Sequence, residues 1–137
     1  MNAYYILDRS SNGQWFWVLK APNHETICVS ETYVSRQGAL TGISSNQRYS
    51  GTLSLQDKTA TNTILSALAF LGTTGGYYVL DRARNGQWFW VLKAPNHETI
   101  GVSETYVSHQ GALEGISANR RHGRTQHLLD RTTGRAA

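Results

Sequence analysis

The chain has 137 residues and a mass of 15.2 kDa, enough for one ordinary domain or two small ones packed together. Apolar residues make up 39% and charged residues 16%, which excludes a charge-rich disordered chain; four Trp, seven Tyr and three Phe against two Pro point to a β-rich globular protein. The net charge of +4 comes from 13 basic and 9 acidic residues, an excess that serves solubility more readily than it defines a polyanion-binding surface.

Met1-Asn2-Ala3-Tyr4 runs straight into a strand pattern, without the basic and apolar regions of a signal peptide. Tyr4–Asp8 is rich in strand formers, and Asn12-Gly13 after it is a strong hairpin signal. Gln14–Lys20 is a second strand. Pro22-Asn23-His24-Glu25 makes the next turn, and Thr26–Ser30 is a short third strand. A loop through Glu31–Val34 reaches Ser35, which suits a helix N-cap. The helix is expected from Arg36 to about Ser45, with Asn46 able to end it. Gly38 and Gly42 weaken that helix, so their expected use is close approach to the sheet. Thr52–Asp57 reads as a fourth strand. The order is three strands, a helix and a strand.

Shifted by 73 residues, the chain nearly reproduces itself. Tyr4–Tyr49 aligns on Tyr77–His122 without a gap, with 37 of 46 pairs identical, and weaker agreement continues through Thr59 and Thr132. The organisation is therefore a first repeat over 1–59, a connector over 60–76, a second repeat over 77–132 and a tail over 133–137. Each repeat is marginal for an independent core, so the two are expected to pack as one globular unit. Within the connector, Thr63–Leu71 is an apolar stretch far too short to cross a bilayer as a helix; it is expected to be helical or extended and packed on the sheet.

The motif Gln14–Ala21, followed by Glu25-Thr26-Ile27, Ser30-Glu31-x-Tyr33-x-Ser35 and Gly42-Ile43, recurs at Gln87–Ala94, Glu98–Ile100, Ser103–Ser108 and Gly115-Ile116. This combination resembles the YegP-like family, a small bacterial domain of unknown function. The resemblance covers both repeats. It implies an α+β fold of tandem β(3)-α-β units that form one continuous antiparallel sheet, with the helices on one face and the last strands exchanged between units. The connector is longer than tandem repeats need, which leaves open whether exchange occurs within one chain or between two. The resemblance carries no catalytic residues over.

No reactive constellation stands out. His24-Glu25 and His97-Glu98 could be half a metal site or an acid–base pair, but neighbours on a strand point to opposite faces, so they read as turn residues making local hydrogen bonds. Glu31, Tyr33 and Ser35, with Glu104, Tyr106 and Ser108, read as structural: a helix cap, a charge near its positive end, and a core anchor. Cys28 is the only cysteine, which excludes an intrachain disulfide and a multi-thiolate zinc site and suits a reducing cytoplasm. Its counterpart is Gly101, so Cys28 reads as a packing residue rather than a nucleophile. No cofactor, metal or membrane partner is expected.

The second strand carries the functional expectation. Trp15, Trp17 and Leu19 share the face beneath the helix. Phe16, Val18 and Lys20 share the other, with Tyr4 and Ile6 across the hairpin; Phe89, Val91, Lys93, Tyr77 and Val79 repeat this in the second unit. A sheet that is apolar on both sides needs cover, so this second face is read as a binding face. The expected function is a non-catalytic module that binds a second copy, another protein or a small ligand. The alternative is single-stranded nucleic acid, with bases stacked on sheet aromatics and phosphates met by Lys20, Lys93 and the cluster of Arg120, Arg121 and Arg124. An enzyme is the least supported class.

Overall fold

A computed structural model describes residues 2–59 and 75–132. The first repeat contributes β1 (Tyr4–Arg9), β2 (Trp15–Lys20), β3 (Thr26–Val29), α1 (Arg36–Tyr49) and β4 (Leu55–Asp57). The second contributes β5 (Tyr77–Arg82), β6 (Trp88–Lys93), β7 (Thr99–Val102), α2 (His109–His122) and β8 (Leu128–Asp130). Residues 60–74, and with them Thr63–Leu71 of the connector, lie outside the described residues.

The hairpin signals work, though by a different turn than Asn-Gly alone suggests. Of Asn12 and Gly13, Gly13 alone has a positive φ, 84°, in a turn closed by its N–H donating to the Ser10 carbonyl. The Asn12 side chain instead accepts from the Gln14 N–H. The second turn places His24 in the left-handed region at φ 73°, where a branched-free glycine would be the easier choice, and His97 repeats it at 72°. Ser35 caps α1 by accepting from the Gly38 N–H at 2.9 Å. The helix then runs to Tyr49, past the expected end at Asn46. The Asn46 side chain is fully buried and hydrogen-bonded to other elements, so it has no need to turn back on its own backbone.

All eight strands form one sheet, ordered β4-β5-β6-β7-β3-β2-β1-β8. The repeats join at β3 and β7, which run antiparallel with Val29 opposite Val102. The last strands are exchanged within this chain: β4 of the first repeat pairs with β5, and β8 of the second pairs with β1. Both edge pairs are parallel. The sheet is thus antiparallel across its six central strands and mixed overall, which corrects the expectation of an antiparallel sheet throughout. The direction follows from the join at the centre: β7 runs opposite to β3 and β5 runs with β7, so β4, which re-enters after α1 opposite to β3, lies parallel to β5, and β8 lies parallel to β1 in the same way.

Both helices cover the face that holds Trp17, Leu19, Trp90 and Leu92, all fully buried, together with Tyr5 and Tyr78. Tyr5 meets Trp17 edge to face at 5.4 Å between centroids, and Tyr78 meets Trp90 likewise. Gly42 is needed for close approach: a Cβ there would stand 2.7 Å from Trp17 Nε1 and 2.8 Å from Tyr33 Cζ. Between the helices, Asn46 and Asn119 exchange side-chain hydrogen bonds at 3.2 Å each way. Each amide also donates to a tyrosine hydroxyl, Asn46 to Tyr5 and Asn119 to Tyr78. Those hydroxyls donate in turn to the Gly123 and Ser50 carbonyls. This buried chain of bonds crosses from one repeat to the other and leaves its members paired.

Candidate functional site

The strand register places Tyr4 opposite Lys20, Ile6 opposite Val18 and Asp8 opposite Phe16, so the expected binding-face residues do share the face away from the helices. The second repeat does the same with Tyr77 and Lys93, and with Val79 and Val91. Ile6, Tyr77 and Val79 are buried, while Tyr4, Phe16, Val18, Phe89 and Val91 are half-buried. Lys20 and Lys93 each donate to a threonine, Thr26 and Thr99, along their own hairpins. On this face His24 meets the Tyr4 hydroxyl at 2.9 Å, and His97 meets Tyr77 at 2.7 Å. The histidines are therefore engaged by tyrosines rather than by the adjacent glutamates. The arginine cluster divides: Arg120 Nε donates to the Thr52 carbonyl, Arg124 lies against Gly51, and Arg121 faces a cleft.

The concave features lie elsewhere. Two clefts of about 690 and 750 Å³ open between the repeats, one on each side of the pseudo-two-fold axis. In the first, α1 supplies a wall of Thr41, Ser45 and Tyr49 above Gly38 and Gly42. The loop before α1 adds Glu31 and Tyr33, and the second repeat closes the cleft with Asn96 and Glu98 from its β6–β7 turn. The second cleft reverses the roles, joining Glu104 and Tyr106 of the second repeat to Asn23 and Glu25 of the first. Tyr33 is held in place by two backbone bonds with Trp15, its N–H donating at 2.7 Å and its carbonyl accepting at 2.8 Å. It packs against the core and also lines the cleft, a second role the sequence did not suggest.

The clefts collect the chain's glutamates. All five line them: Glu31 and Glu98 the first, Glu25, Glu104 and Glu114 the second. Ion pairs among the described residues use aspartates instead. A molecule of net charge +4 thus turns two acidic clefts to solvent, with Arg121 and His122 the basic residues on the second. Burial pushes the Tyr33 hydroxyl above its ordinary value, and the nearby Glu31 and Glu98 carboxylates push the same way; burial, Glu104 and Glu25 do so for Tyr106. Both phenols therefore keep their protons at neutral pH. The Trp17 indole N–H lies beside the Tyr33 hydroxyl and opposes the effect of its burial, although among the described residues it makes no hydrogen bond of good geometry. Trp90 repeats the arrangement under Tyr106.

Nine positions differ between the aligned repeats, and three of them face these clefts. Thr41, Ser45 and Tyr49 of α1 stand where α2 has Glu114, Ala118 and His122. The ends of the clefts are alike while their helix walls have diverged. Sequence reasoning missed the clefts because each is assembled from both repeats. The available signal is the Glu-x-Tyr at 31–33 and 104–106, which the sequence alone explains as a charge near the helix start and a core anchor.

Two β(3)-α-β repeats that trade their last strands to complete a single sheet define a paired-repeat α+β module. The family model described as "Domain of unknown function (DUF1508)" matches residues 10–57 and again 83–130, and the chain belongs to that family. It is similar to the UPF0339 protein of Shewanella oneidensis, 34% identical over 96% of this chain and 100% of that one. It is likewise similar to the UPF0339 protein YegP of Escherichia coli strain K12, 32% identical over the same shares. The solution NMR structure of yegP from E. coli, 31% identical, has a TM-score of 0.75 and covers 96% of this chain and 94% of that one. That of the Shewanella oneidensis protein, 32% identical, has a TM-score of 0.74 over 98% and 96%. The YegP-like resemblance read from the sequence is shown. Among the described residues, no helix is long and apolar enough to cross a membrane.

Proposed function

We propose that the protein is a non-catalytic binding module that holds a small ligand in the clefts between its repeats. The observation that carries this reading is the make-up of the cleft walls: each takes residues from both repeats, and together they gather every glutamate of the chain. Their volumes suit a metabolite-sized ligand. A binding role is favoured over catalysis because the candidate nucleophiles are muted. Tyr33 and Tyr106 are held protonated, and burial pushes the Cys28 thiol well up from its ordinary value.

A second reading is contact with another protein or a second copy through the Phe16/Phe89 face. It is favoured by the half-buried aromatics and valines on a sheet whose opposite face already holds the core. Nucleic acid is less favoured, since Lys20, Lys93 and Arg120 are each committed to hydrogen bonds within the chain. An NMR screen against metabolite mixtures separates these readings. The binding-module reading expects compounds that move the Trp17 or Trp90 indole signals and are recovered unchanged. Turnover of a bound compound, or hits confined to the Phe16/Phe89 face, would overturn it.

A further inference from the structure

The chain that joins the repeats has to cross the sheet. β4 and β5 are neighbours and run parallel, with Asp57 beside Leu80. Thr59 therefore stands level with Arg82 and the described chain resumes at Gly75, so residues 60–74 run back roughly 20 Å along the strands. Parallel neighbours are joined by crossovers that pass over one face of the sheet, and such crossovers are right-handed almost without exception. Handedness and the backbone bonds together select the face. The Tyr78 N–H donates to the Ser54 carbonyl and the Leu80 carbonyl accepts from the Lys58 N–H, so both groups point at β4, while both side chains lie in the core beneath the helices. An L-residue with its side chain toward the viewer, in a strand running upward, turns its N–H and carbonyl to the right. Seen from the helix side, β4 is thus to the right of β5; seen from the open side, it is to the left. A right-handed connection lies in front when the second strand is to the right of the first, which holds only from the open side.

We infer that the open face of the second repeat is a docking surface for the chain's own connector, with residues 63–71 across Tyr77, Val79, Phe89 and Val91. The chemistry of the two surfaces matches. Residues 60–76 carry no charged group and bring five large apolar side chains, Ile64, Leu65, Leu68, Phe70 and Leu71, to a face of valines and aromatics. The two halves of the face also differ as this position requires. Tyr77 is 6% exposed, whereas Tyr4, its counterpart with the same histidine bond, is only half-buried. On the edge strands, Gln56 beside Val79 is half-buried, while its counterpart Leu129 beside Ile6 is 48% exposed. A polar residue is covered where its apolar equivalent is not. The part of this face left to a partner protein is then the half with Tyr4, Phe16 and Val18, and the clefts between the repeats are unaffected.

The test uses the full chain with labelled methyl groups and aromatic rings, and reads through-space NMR contacts together with line broadening by a soluble paramagnetic probe. Contacts are expected from Ile64, Leu65, Leu68 or Leu71 to Phe89 or Val91, and the probe should broaden Phe16 and Val18 more than Phe89 and Val91. Replacing residues 63–71 by a glycine–serine run of equal length should abolish that difference, while the Trp17 and Trp90 indole signals report whether the variant is folded. If it does not fold, the contacts in the unaltered chain decide alone. Contacts from the segment to Leu40 or Leu113 on the helices would overturn the inference by placing the crossover on the other face. Contacts to Phe89 that arise only between differently labelled copies in a mixed sample would overturn it in favour of a second copy as the occupant. Equal broadening of Phe16 and Phe89 in the unaltered chain would overturn it as well. None of these outcomes bears on ligand binding in the clefts.

Discussion

Cys28 and Gly101 occupy equivalent positions in β3 and β7, and each is shaped to the other across the repeat boundary. A Cβ on Gly101 would run into Cys28 Sγ and lie 3.2 Å from Trp17 Cη2, so there is room for one thiol and not two. Gly101→Cys alone should overpack this space and cost about 1–3 kcal/mol. Cys28→Gly alone should leave a void and cost a similar order. The exchanged pair, Cys28→Gly with Gly101→Cys, should return most of the loss in urea unfolding. Additive losses in the double variant would show that the two positions do not share the space. A second residue-scale prediction concerns Asp57 and Asp130. Burial alone would raise Asp57, but hydrogen bonds from Thr59 and His109 outweigh it and hold the carboxyl below its ordinary value. Thr59 and its counterpart apart, the partner differs at Asp130, where Thr132 and Arg36 outweigh burial in the same way. A carboxyl held low in the folded state contributes stability that is complete above the unfolded value of about pH 4 and is lost as pH falls through the folded value. Replacing both with Asn should flatten the stability curve below about pH 4 and leave its shape above pH 5 alone. An unchanged acid limb in chemical-denaturation midpoints would contradict this account.

The helices show where local sequence preference loses to packing. Gly42 should be the weak point of α1 by propensity, and Gly42→Ala would add about 1 kcal/mol of helix preference. The added Cβ would instead collide with Tyr33 and with Trp17 Nε1. Gly42→Ala should therefore be destabilising by about 1–3 kcal/mol, and a stabilised variant in thermal unfolding would show that the helix can lift from the sheet at little cost. Asn46 tells the same story from the other side. As a sequence signal it suggested a helix end; in the fold it lies fully buried and bonded to Asn119 and Tyr5. Asn46→Ala leaves the Asn119 amide and the Tyr5 hydroxyl short of partners, a loss of about 1–3 kcal/mol per unsatisfied group. Asn46→Leu/Asn119→Leu, which removes both amides together, should cost less than the sum of its single substitutions; a cost equal to that sum in denaturation would count against the reciprocal pair. The strands, the Ser35 cap and the two-sided pattern of β2 were legible because they depend on neighbours in sequence. The helix end was not, because Asn46 answers to a residue 73 positions away.

For the whole molecule, the duplication made the pairing of repeats legible, and with the family resemblance it also gave the single sheet and the strand exchange. The parallel direction of the two edge strands was not legible, since a three-residue strand carries no mark of its partner's direction. Nor were the clefts, whose walls come from both repeats and whose glutamates are scattered from Glu25 to Glu114. Both follow from one property: neither repeat is complete alone. β1 takes its edge partner from the second repeat, Tyr5 ends its bond chain at Gly123, and the first cleft is closed by Glu98. A repeat of this size is already marginal by surface-to-volume scaling, and here it lacks an edge strand as well. The decisive measurement is on a chain truncated after Thr59, followed by NMR dispersion, thermal melting and sedimentation. The account predicts either no cooperative fold or a fold that appears only as a dimer, in which a second copy supplies the missing strand. A well-dispersed monomer that melts cooperatively would contradict it.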